Sequence, residues 1–381
     1  MSLKERVMVN LRKRRQNLLE GKINSIPSPF KRFSNDFIGI EQGTYYCITS
    51  YTKGGKTQFL LNLLFEALLY VFENISIVRL KIFYFNLEET DEKILNRFQS
   101  WLLWRLDKIH ISPSDLRSSK NDKPVPEEVL NLLESERYTK YIDFFEEVFR
   151  FSPTSNPTGI YKECRDYAWE NGKVHTKKVE YQDDEVFDWY EPNDPFEYKI
   201  IVIDHISLIS EESGMKKKDA IDKLSGEYLA KTLRNKYNFI PFVIQQQSTE
   251  NESNDSFKLN RIRPSGAGLS DSKYVQRDVN LLLGLFSPFK FGLAEYMGYD
   301  ITKFKDNIRF LEMCVNRDGE MGGIIALYFD GATCTFHELP PPDNKEAMKQ
   351  VYKFLENRDK PTEKSLSLFI HSFIKKLFNN N

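Results

Sequence analysis

The segment Ser50–Thr57, with the sequence Ser-Tyr-Thr-Lys-Gly-Gly-Lys-Thr, constrains the fold of this chain more than any other feature. An apolar run over Thr44–Thr49 precedes it, and an apolar pattern at helical spacing follows it. A glycine turn between a buried strand and a helix can present backbone N–H groups to an anion. The segment departs from the pattern Gly-x-x-x-x-Gly-Lys-Ser/Thr only at Ser50. We therefore interpret it as a phosphate-binding loop rather than an ordinary glycine turn.

This loop predicts a set of nucleotide contacts. The side chain of Lys56 is expected to reach the β and γ phosphates, and the hydroxyl of Thr57 is expected to bind Mg²⁺. The predicted nucleotide-binding residues are Ser50, Thr52, Lys53, Gly54, Gly55, Lys56 and Thr57. The expected ligands are accordingly ATP and magnesium.

Composition limits the class of protein. The 381 residues are 40% hydrophobic and 14% aromatic, which is enough to bury a sizeable core. The 54 basic and 55 acidic residues nearly cancel in net charge, so any surface that binds nucleic acid must be a local cluster of basic residues. The four cysteines form no Cys-x-x-Cys pair, which argues against a disulfide framework or a zinc site. No segment is typical of a membrane helix or a secretion signal, so we expect a cytoplasmic protein with no membrane partner.

The order of apolar runs and helical patterns predicts an α/β fold. Runs that are apolar at every position suit strands covered on both faces, and the helices between them favour a mostly parallel central sheet. The predicted strands are Thr44–Thr49, Lys81–Leu87, Lys199–Leu208, Phe239–Ile244 and Val279–Phe286. An antiparallel hairpin, Ile324–Phe329 with Thr333–His337, is predicted near the C-terminal edge. In such a sheet, ligands bind beyond the carboxyl ends of the strands, where the loop at Ser50 also lies.

The chain divides into three predicted parts. Residues 1–35 form a basic amphipathic arm and linker, which packs either on its own domain or on a neighbouring subunit. Residues 36–340 form the α/β domain, with an elaborated insertion at about 107–197. The insertion is expected to contain helices over Glu127–Leu133 and Tyr141–Phe149 and a β-hairpin over Lys173–Tyr190. Residues 341–381 form a helical tail that carries an apolar stripe near its end.

Three polar side chains follow predicted strands at the ligand edge. Asp204 is expected to hold Mg²⁺ with Thr57, unless it only caps the next turn. Glu88 is the candidate general base for the attacking water, with Glu89 as its rival; both glutamates could instead simply open a helix. Gln247 is the candidate sensor of the γ phosphate, unless it is an exposed polar strand end.

Two segments beyond these strand ends carry local positive charge. We expect both to be loops that could contact a phosphate backbone, although charge runs are more often solvated surfaces. The candidate DNA-binding residues are Lys216, Lys217, Lys218, Lys258, Arg261 and Arg263.

Taken together, these residues resemble the DnaB-type replicative helicases, the hexameric ring branch of the RecA-like ATPases. The similarity covers about Ile23 to Leu339. The matching segments are Ile26–Phe30, Gln42-Gly43, the phosphate loop, Asn86-Leu87-Glu88, Asp204, Gln247, Asp278–Leu282 and Asn316–Gly319. Arg317 is similar to the arginine that reaches the neighbouring subunit's ATP site in that family. The chain departs from the family at Val315, where a lysine is usual, and in the unusual elaboration over Leu106–Glu197. We also expect it to lack the family's amino-terminal helical domain.

The resemblance implies a RecA-like P-loop NTPase core and an ATP-dependent replicative DNA helicase. ATP and Mg²⁺ would bind between the subunits of a homo-oligomer, a hexameric ring, and single-stranded DNA would pass through the ring's channel. Primase or other replication proteins are further possible partners. The alternatives are a recombinase-like ATPase that forms filaments on single-stranded DNA, and a nucleotide-gated assembly ATPase that does not bind DNA.

Overall fold

A nine-stranded sheet forms the centre of the protein, in the order β15-β14-β13-β10-β3-β9-β8-β4-β5. The structure is a computed structural model that describes residues 3–75, 77–179, 185–248 and 262–358. The sheet strands are β3 Tyr46–Ser50, β4 Arg79–Asn86, β5 Phe149–Ser152, β8 Glu197–Asp204, β9 Ile240–Gln246, β10 Leu281–Phe286, β13 Ile308–Asn316, β14 Ile324–Asp330 and β15 Thr335–Glu338. Three small two-stranded sheets pair β1 Ser25–Pro27 with β2 Gly39–Glu41, β6 Gly172–Lys177 with β7 Val186–Pro192, and β11 Glu295–Tyr296 with β12 Tyr299–Asp300.

The middle of the sheet is parallel, and one edge is antiparallel. Strands β10, β3, β9, β8, β4 and β5 pair in parallel. Beyond β10, strands β13, β14 and β15 follow, each antiparallel to the strand before it. Every residue of β3 is buried because helices cover both faces of the sheet. The predicted α/β class, the mostly parallel central sheet and the C-terminal hairpin are confirmed. The strand predicted for Lys199–Leu208 ends earlier, at Asp204, and a short 3₁₀ turn covers Ile206–Leu208.

Helices form a layer on each face of the sheet. The helices are α1 Leu3–Leu19, α2 Lys56–Glu73, α3 Asp91–Asp107, α4 Pro113–Leu116, α5 Glu127–Leu133, α6 Glu136–Val148, α7 Pro157–Glu170, α8 Lys217–Asp222, α9 Asn235–Tyr237, α10 Val275–Asp278, α11 Ile301–Phe304 and α12 Lys345–Arg358. A π-helical segment, Lys223–Arg234, joins α8 to α9. The core on one face includes Leu64 of α2, Trp101 of α3 and Phe145 of α6. The core on the other face includes Ile160 of α7 and Leu229 of the π-helical segment.

The insertion contributes to the central sheet, which the sequence did not predict. Helix α6 ends at Val148, one residue short of the predicted helix, because Phe149 begins β5 and pairs with Ile82 of β4. The predicted hairpin is present as β6 and β7, although its turn, residues 180–184, lies outside the described residues. The insertion therefore supplies the last strand of the sheet as well as a projecting hairpin.

The basic arm contacts its own chain through polar groups near its helix, and Ile26 and Phe30 of the linker are buried in the core. Arg14 forms an ion pair with Glu41 at 2.5 Å, and the Asn24 side chain donates to the Arg14 carbonyl at 2.9 Å. Several apolar side chains of α1 remain exposed, among them Leu11 at 56% and Leu18 at 63%. The apolar stripe predicted for the tail falls in 359–381, outside the described residues. Among the helices that the structure describes, none has the length and apolar character required to span a bilayer.

Candidate nucleotide-binding site

The predicted phosphate loop connects the end of β3 to the start of α2. Gly55 has a left-handed backbone, with φ of 95°, which favours glycine. A Cβ at Gly54 would lie 2.3 Å from the hydroxyl oxygen of Ser50, so this position requires glycine too. The buried Ser50 hydroxyl donates to the Tyr51 carbonyl at 2.9 Å, which shows how serine fits where the usual pattern has glycine.

Lys56 points back into this loop and is only 8% exposed. Its ammonium donates to the carbonyls of Tyr51 at 3.3 Å and Ser50 at 3.4 Å. Burial lowers the pKa of Lys56 to about 8, although the nearby carboxylates of Asp204 and Glu88 act in the opposite direction. The ammonium thus lies among neutral acceptors, and a bound phosphate would supply the missing negative charge.

Thr57 and Asp204 meet beneath the loop, as the strand and helix ends predicted. The Thr57 hydroxyl donates to Asp204 Oδ1 at 3.2 Å, and the Tyr84 hydroxyl donates to Asp204 Oδ2 at 3.1 Å. Burial raises the pKa of the Asp204 carboxyl to about 6. A hydroxyl and a carboxylate are the hard oxygen ligands that Mg²⁺ takes together with substrate phosphates. These residues therefore fit the magnesium site implied by the sequence.

The two candidate general bases differ in their surroundings. Glu89 forms a bidentate ion pair with Arg97, at 2.6 and 3.1 Å. Glu88 is exposed and forms no ion pair with a described residue, yet it lies close enough to influence the pKa values of Lys56 and Asp204. A carboxylate without a cationic partner is better placed to accept a proton from water. The geometry thus favours Glu88 over Glu89, and its catalytic role remains a prediction.

Gln247 links the phosphate-loop strand to the next segment. Its side-chain amide donates to the Thr49 hydroxyl and to the Ser265 carbonyl, both at 2.9 Å, and its carbonyl accepts from the Ser265 N–H at 3.2 Å. Gln247 is 2% exposed, so the alternative of an exposed strand end is wrong. Sensing of the γ phosphate by Gln247 remains a prediction.

Two basic residues at the loop were missed in the sequence. Arg309 of β13 is 1% exposed and donates from Nε to the Gly54 carbonyl at 2.9 Å. Lys290, beyond the carboxyl end of β10, donates to the Thr52 carbonyl at 3.2 Å. Both lie more than 200 residues along the chain from the loop, and no local pattern marks them. Only the pairing of β13 with β10 brings Arg309 to this edge.

Arg317 lies at the amino ends of the parallel strands, opposite the end that carries the phosphate loop. Its N–H donates to the Asn280 carbonyl at 3.1 Å, and its side chain is exposed. The register places neighbouring Asn316 beside Leu281, which pairs with Tyr46 at the start of β3. The phosphate loop follows the far end of β3, five residues away, or roughly 16 Å at 3.3 Å per residue. Arg317 is therefore too far away to serve its own chain's loop.

The predicted DNA-binding residues are spread over the segments that follow β8 and β9. Lys216 is exposed, whereas Lys217 donates to the Ile209 carbonyl and Lys218 pairs with Asp222 at 3.1 Å. Arg263 forms a bidentate ion pair with Glu312. Lys258 and Arg261 lie outside the described residues. Contact of these residues with DNA remains a prediction.

Comparisons with known proteins identify the fold. By sequence, the chain matches no protein-family profile and no curated protein. By structure, it is similar to a DnaB-like replicative helicase that was described with its interactions with primase, with a TM-score of 0.59 and 15% identity over 88% of this chain. The match covers 66% of that helicase's own length. A solved ATPase domain is also similar, with a TM-score of 0.59 and 14% identity, over 89% of this chain and 99% of that domain. The chain shares the overall α/β fold of these two proteins.

Proposed function

We propose that this chain is an ATP-hydrolysing motor of the replicative-helicase type, which translocates on single-stranded DNA and unwinds duplex. The observation that carries the proposal is the contact between Thr57 and Asp204, 3.2 Å apart beneath a loop that also holds Lys56. A hydroxyl, a carboxylate and a lysine in this arrangement suit a nucleoside triphosphate with a divalent cation. The similarity of the fold to helicase ATPase domains supports the same class.

In the proposed mechanism, the backbone N–H groups of the loop hold the phosphates, and Lys56 adds a positive charge beside them. Magnesium held by Thr57 and Asp204 would neutralise phosphate oxygens. Glu88 orients the attacking water and accepts its proton. Gln247 connects the site to the segment at Ser265, so loss of the γ phosphate can change the position of that segment.

The proposed working form is a homo-oligomer, a hexameric ring with ATP between subunits. Arg317 supports this arrangement because it lies at the edge opposite its own phosphate loop and could reach only a neighbour's site. Residues 36–340 would form the motor domain, and the exposed apolar side chains of α1 suit a helix that docks on an adjacent subunit. Primase or another replication protein is a further proposed partner.

ATPase activity measured with and without single-stranded DNA tests the proposal. A motor on DNA should be stimulated severalfold by the strand, and its DNA affinity should fall steeply with salt. Turnover that does not respond to DNA, together with no salt-sensitive DNA affinity, would favour the assembly ATPase. Electron micrographs of the same samples separate rings from the filaments expected of a recombinase.

A further inference from the structure

A basic groove lies outside the nucleotide site, between the C-terminal helix α12 and helix α11. Its volume is about 640 Å³. The charged and aromatic residues that line it are Lys303, Lys345, Lys349, Lys353, Tyr352 and Glu356. Four lysines against one glutamate leave the groove strongly positive, although the whole chain has a formal net charge of only −1.

The lysines are regularly spaced. Lys345, Lys349 and Lys353 occur at every fourth position of α12, which places them on one face of the helix. At 1.5 Å per residue, successive lysines are about 6 Å apart and the row is about 12 Å long. Lys303 enters from the opposite wall, with its Nζ 4.4 Å from the centre of the Tyr352 ring.

The walls of the groove are firmly packed. The buried side of α12, which includes Met348 and Leu355, shares a core with Ile301 and Phe304 of α11. None of the four lysines forms an ion pair with a carboxylate among the residues that the structure describes. Their charges are thus held on rigid elements and are available to an anionic ligand.

Resting on the function proposed above, we propose that this groove binds the phosphate backbone of a nucleic-acid strand, in addition to any contact made by the segments after β8 and β9. A regular row of like charges suits the regularly spaced charges of a phosphate backbone. The chain's own residues 359–381 carry four lysines and two acidic residues, so their charge does not complement the groove.

The test measures fluorescence anisotropy of a labelled thymidine strand of about 20 nucleotides over a range of salt concentrations. The test variant of the full chain carries Lys345→Gln, Lys349→Gln and Lys353→Gln. The control carries Lys123→Gln, Lys162→Gln and Lys178→Gln, which remove the same charge from exposed positions elsewhere. Each lost phosphate contact should reduce the slope of log affinity against log salt by about 0.7, so the test variant should lose about 2 and the control almost nothing.

Lys303→Gln alone should reduce the slope by about 0.7, which tests the opposite wall independently. ATPase activity without DNA should stay at the wild-type level in every variant, because the groove is separate from the nucleotide site, and this shows that the variants fold. Equal slopes and affinities for the test and control variants would overturn the proposal. Loss of polyglutamate binding with unchanged DNA binding would also overturn it, in favour of an acidic protein partner.

Discussion

Charged groups at the carboxyl ends of the parallel strands have different partners from those at the amino ends; we call these ends the carboxyl edge and the amino edge. At the carboxyl edge, Lys56 contacts only carbonyl and hydroxyl oxygens, Asp204 accepts only from the Thr57 and Tyr84 hydroxyls, and Glu88 forms no ion pair with a described residue. Burying a charge without an opposite partner destabilises the ionised form, and this desolvation lowers the pKa of Lys56 and raises the pKa of Asp204.

At the amino edge, most polar groups are matched within the chain. Arg234 donates to the Asp278 carbonyl and to the Asn280 side chain, both at 2.8 Å, and the Ser225 hydroxyl donates to the Asp278 carboxylate at 2.7 Å. The Tyr45 and Ser225 hydroxyls are 3.1 Å apart. Arg317 differs from these residues because its side chain is exposed. The comparison supports the proposal that a ligand completes the carboxyl edge, whereas polar groups of the chain itself satisfy one another at the amino edge except at Arg317.

Lys56→Ala is the strongest test of whether the carboxyl edge binds a nucleotide. We expect ATP turnover to fall by at least about a hundredfold, since one preorganised charge at a developing anion contributes that much or more. The fold should be unaffected, as judged by circular dichroism. Lys53→Ala is the matched control in the same loop; its side chain is exposed, so the effect should be only a few fold. Turnover retained in Lys56→Ala would remove the proposed site.

Glu88→Gln tests whether Glu88, rather than its neighbour Glu89, is the general base. We expect ATP binding to persist while turnover falls by roughly a hundredfold, because an amide cannot accept the proton from water. Glu89→Gln is the control, since it disturbs the ion pair with Arg97 and should alter turnover much less. Wild-type turnover in Glu88→Gln would move the role to Glu89. Steady-state kinetics with parallel nucleotide-binding measurements give both quantities.

A mixing experiment tests whether Arg317 serves a neighbouring subunit. Arg317→Ala and Lys56→Ala subunits should each be inactive alone. In a random equal mixture, about one quarter of head-to-tail interfaces combine an intact loop with an intact arginine, so turnover should recover to at most about that fraction of wild type. The recovery is measured in oligomers verified to contain both subunits. No recovery in such oligomers would contradict the action of Arg317 on a neighbour's site.

Arg309→Met tests the support beneath the phosphate loop. Removing the buried guanidinium leaves the Gly54 carbonyl without this donor, and we expect a loss of about 2–4 kcal/mol in the free energy of unfolding. Arg263→Met is the control, because its ion pair with Glu312 is partly exposed and should contribute less than about 1 kcal/mol. Urea unfolding curves compare the two variants. Equal losses would show that burial at Arg309 has no special role.

Asp204→Asn tests the buried carboxyl through stability in the absence of nucleotide, and the size of its effect depends on pH. The folded pKa of about 6 is above the usual value near 3.9, so the carboxyl's contribution to stability is complete below about pH 4 and is lost as pH rises through 6. Without nucleotide, the variant should therefore exceed wild type in stability by about 3 kcal/mol at pH 8, and by much less near pH 4. Exposed Asp122→Asn is the control. A stability difference independent of pH would contradict the burial of an ionised Asp204.

The sequence predicted those site residues that lie directly beside a recognisable strand or helix pattern in the chain. Lys56, Thr57 and Asp204 follow or precede strong apolar patterns, and parallel strands necessarily bring their carboxyl ends together. Arg309 could not be found in this way, since its partner Gly54 is 255 residues away and the contact depends on the antiparallel register of β13. Strand β5 was also missed, because four residues directly after a helix carry too little periodicity to distinguish a strand.

Strand β13 has a further consequence for an assembled ring. Its nine residues span roughly 30 Å, with Arg309 against the phosphate loop near one end and Arg317 directly after the other. Hydrogen bonds to β10 and β14 on both sides make it stiff. If Arg317 reaches a neighbour, β13 of each subunit would form a stiff connection between two successive proposed ATP sites. A displacement of one phosphate loop would then be transmitted along β13 to Arg317 in the nucleotide site of the neighbouring subunit.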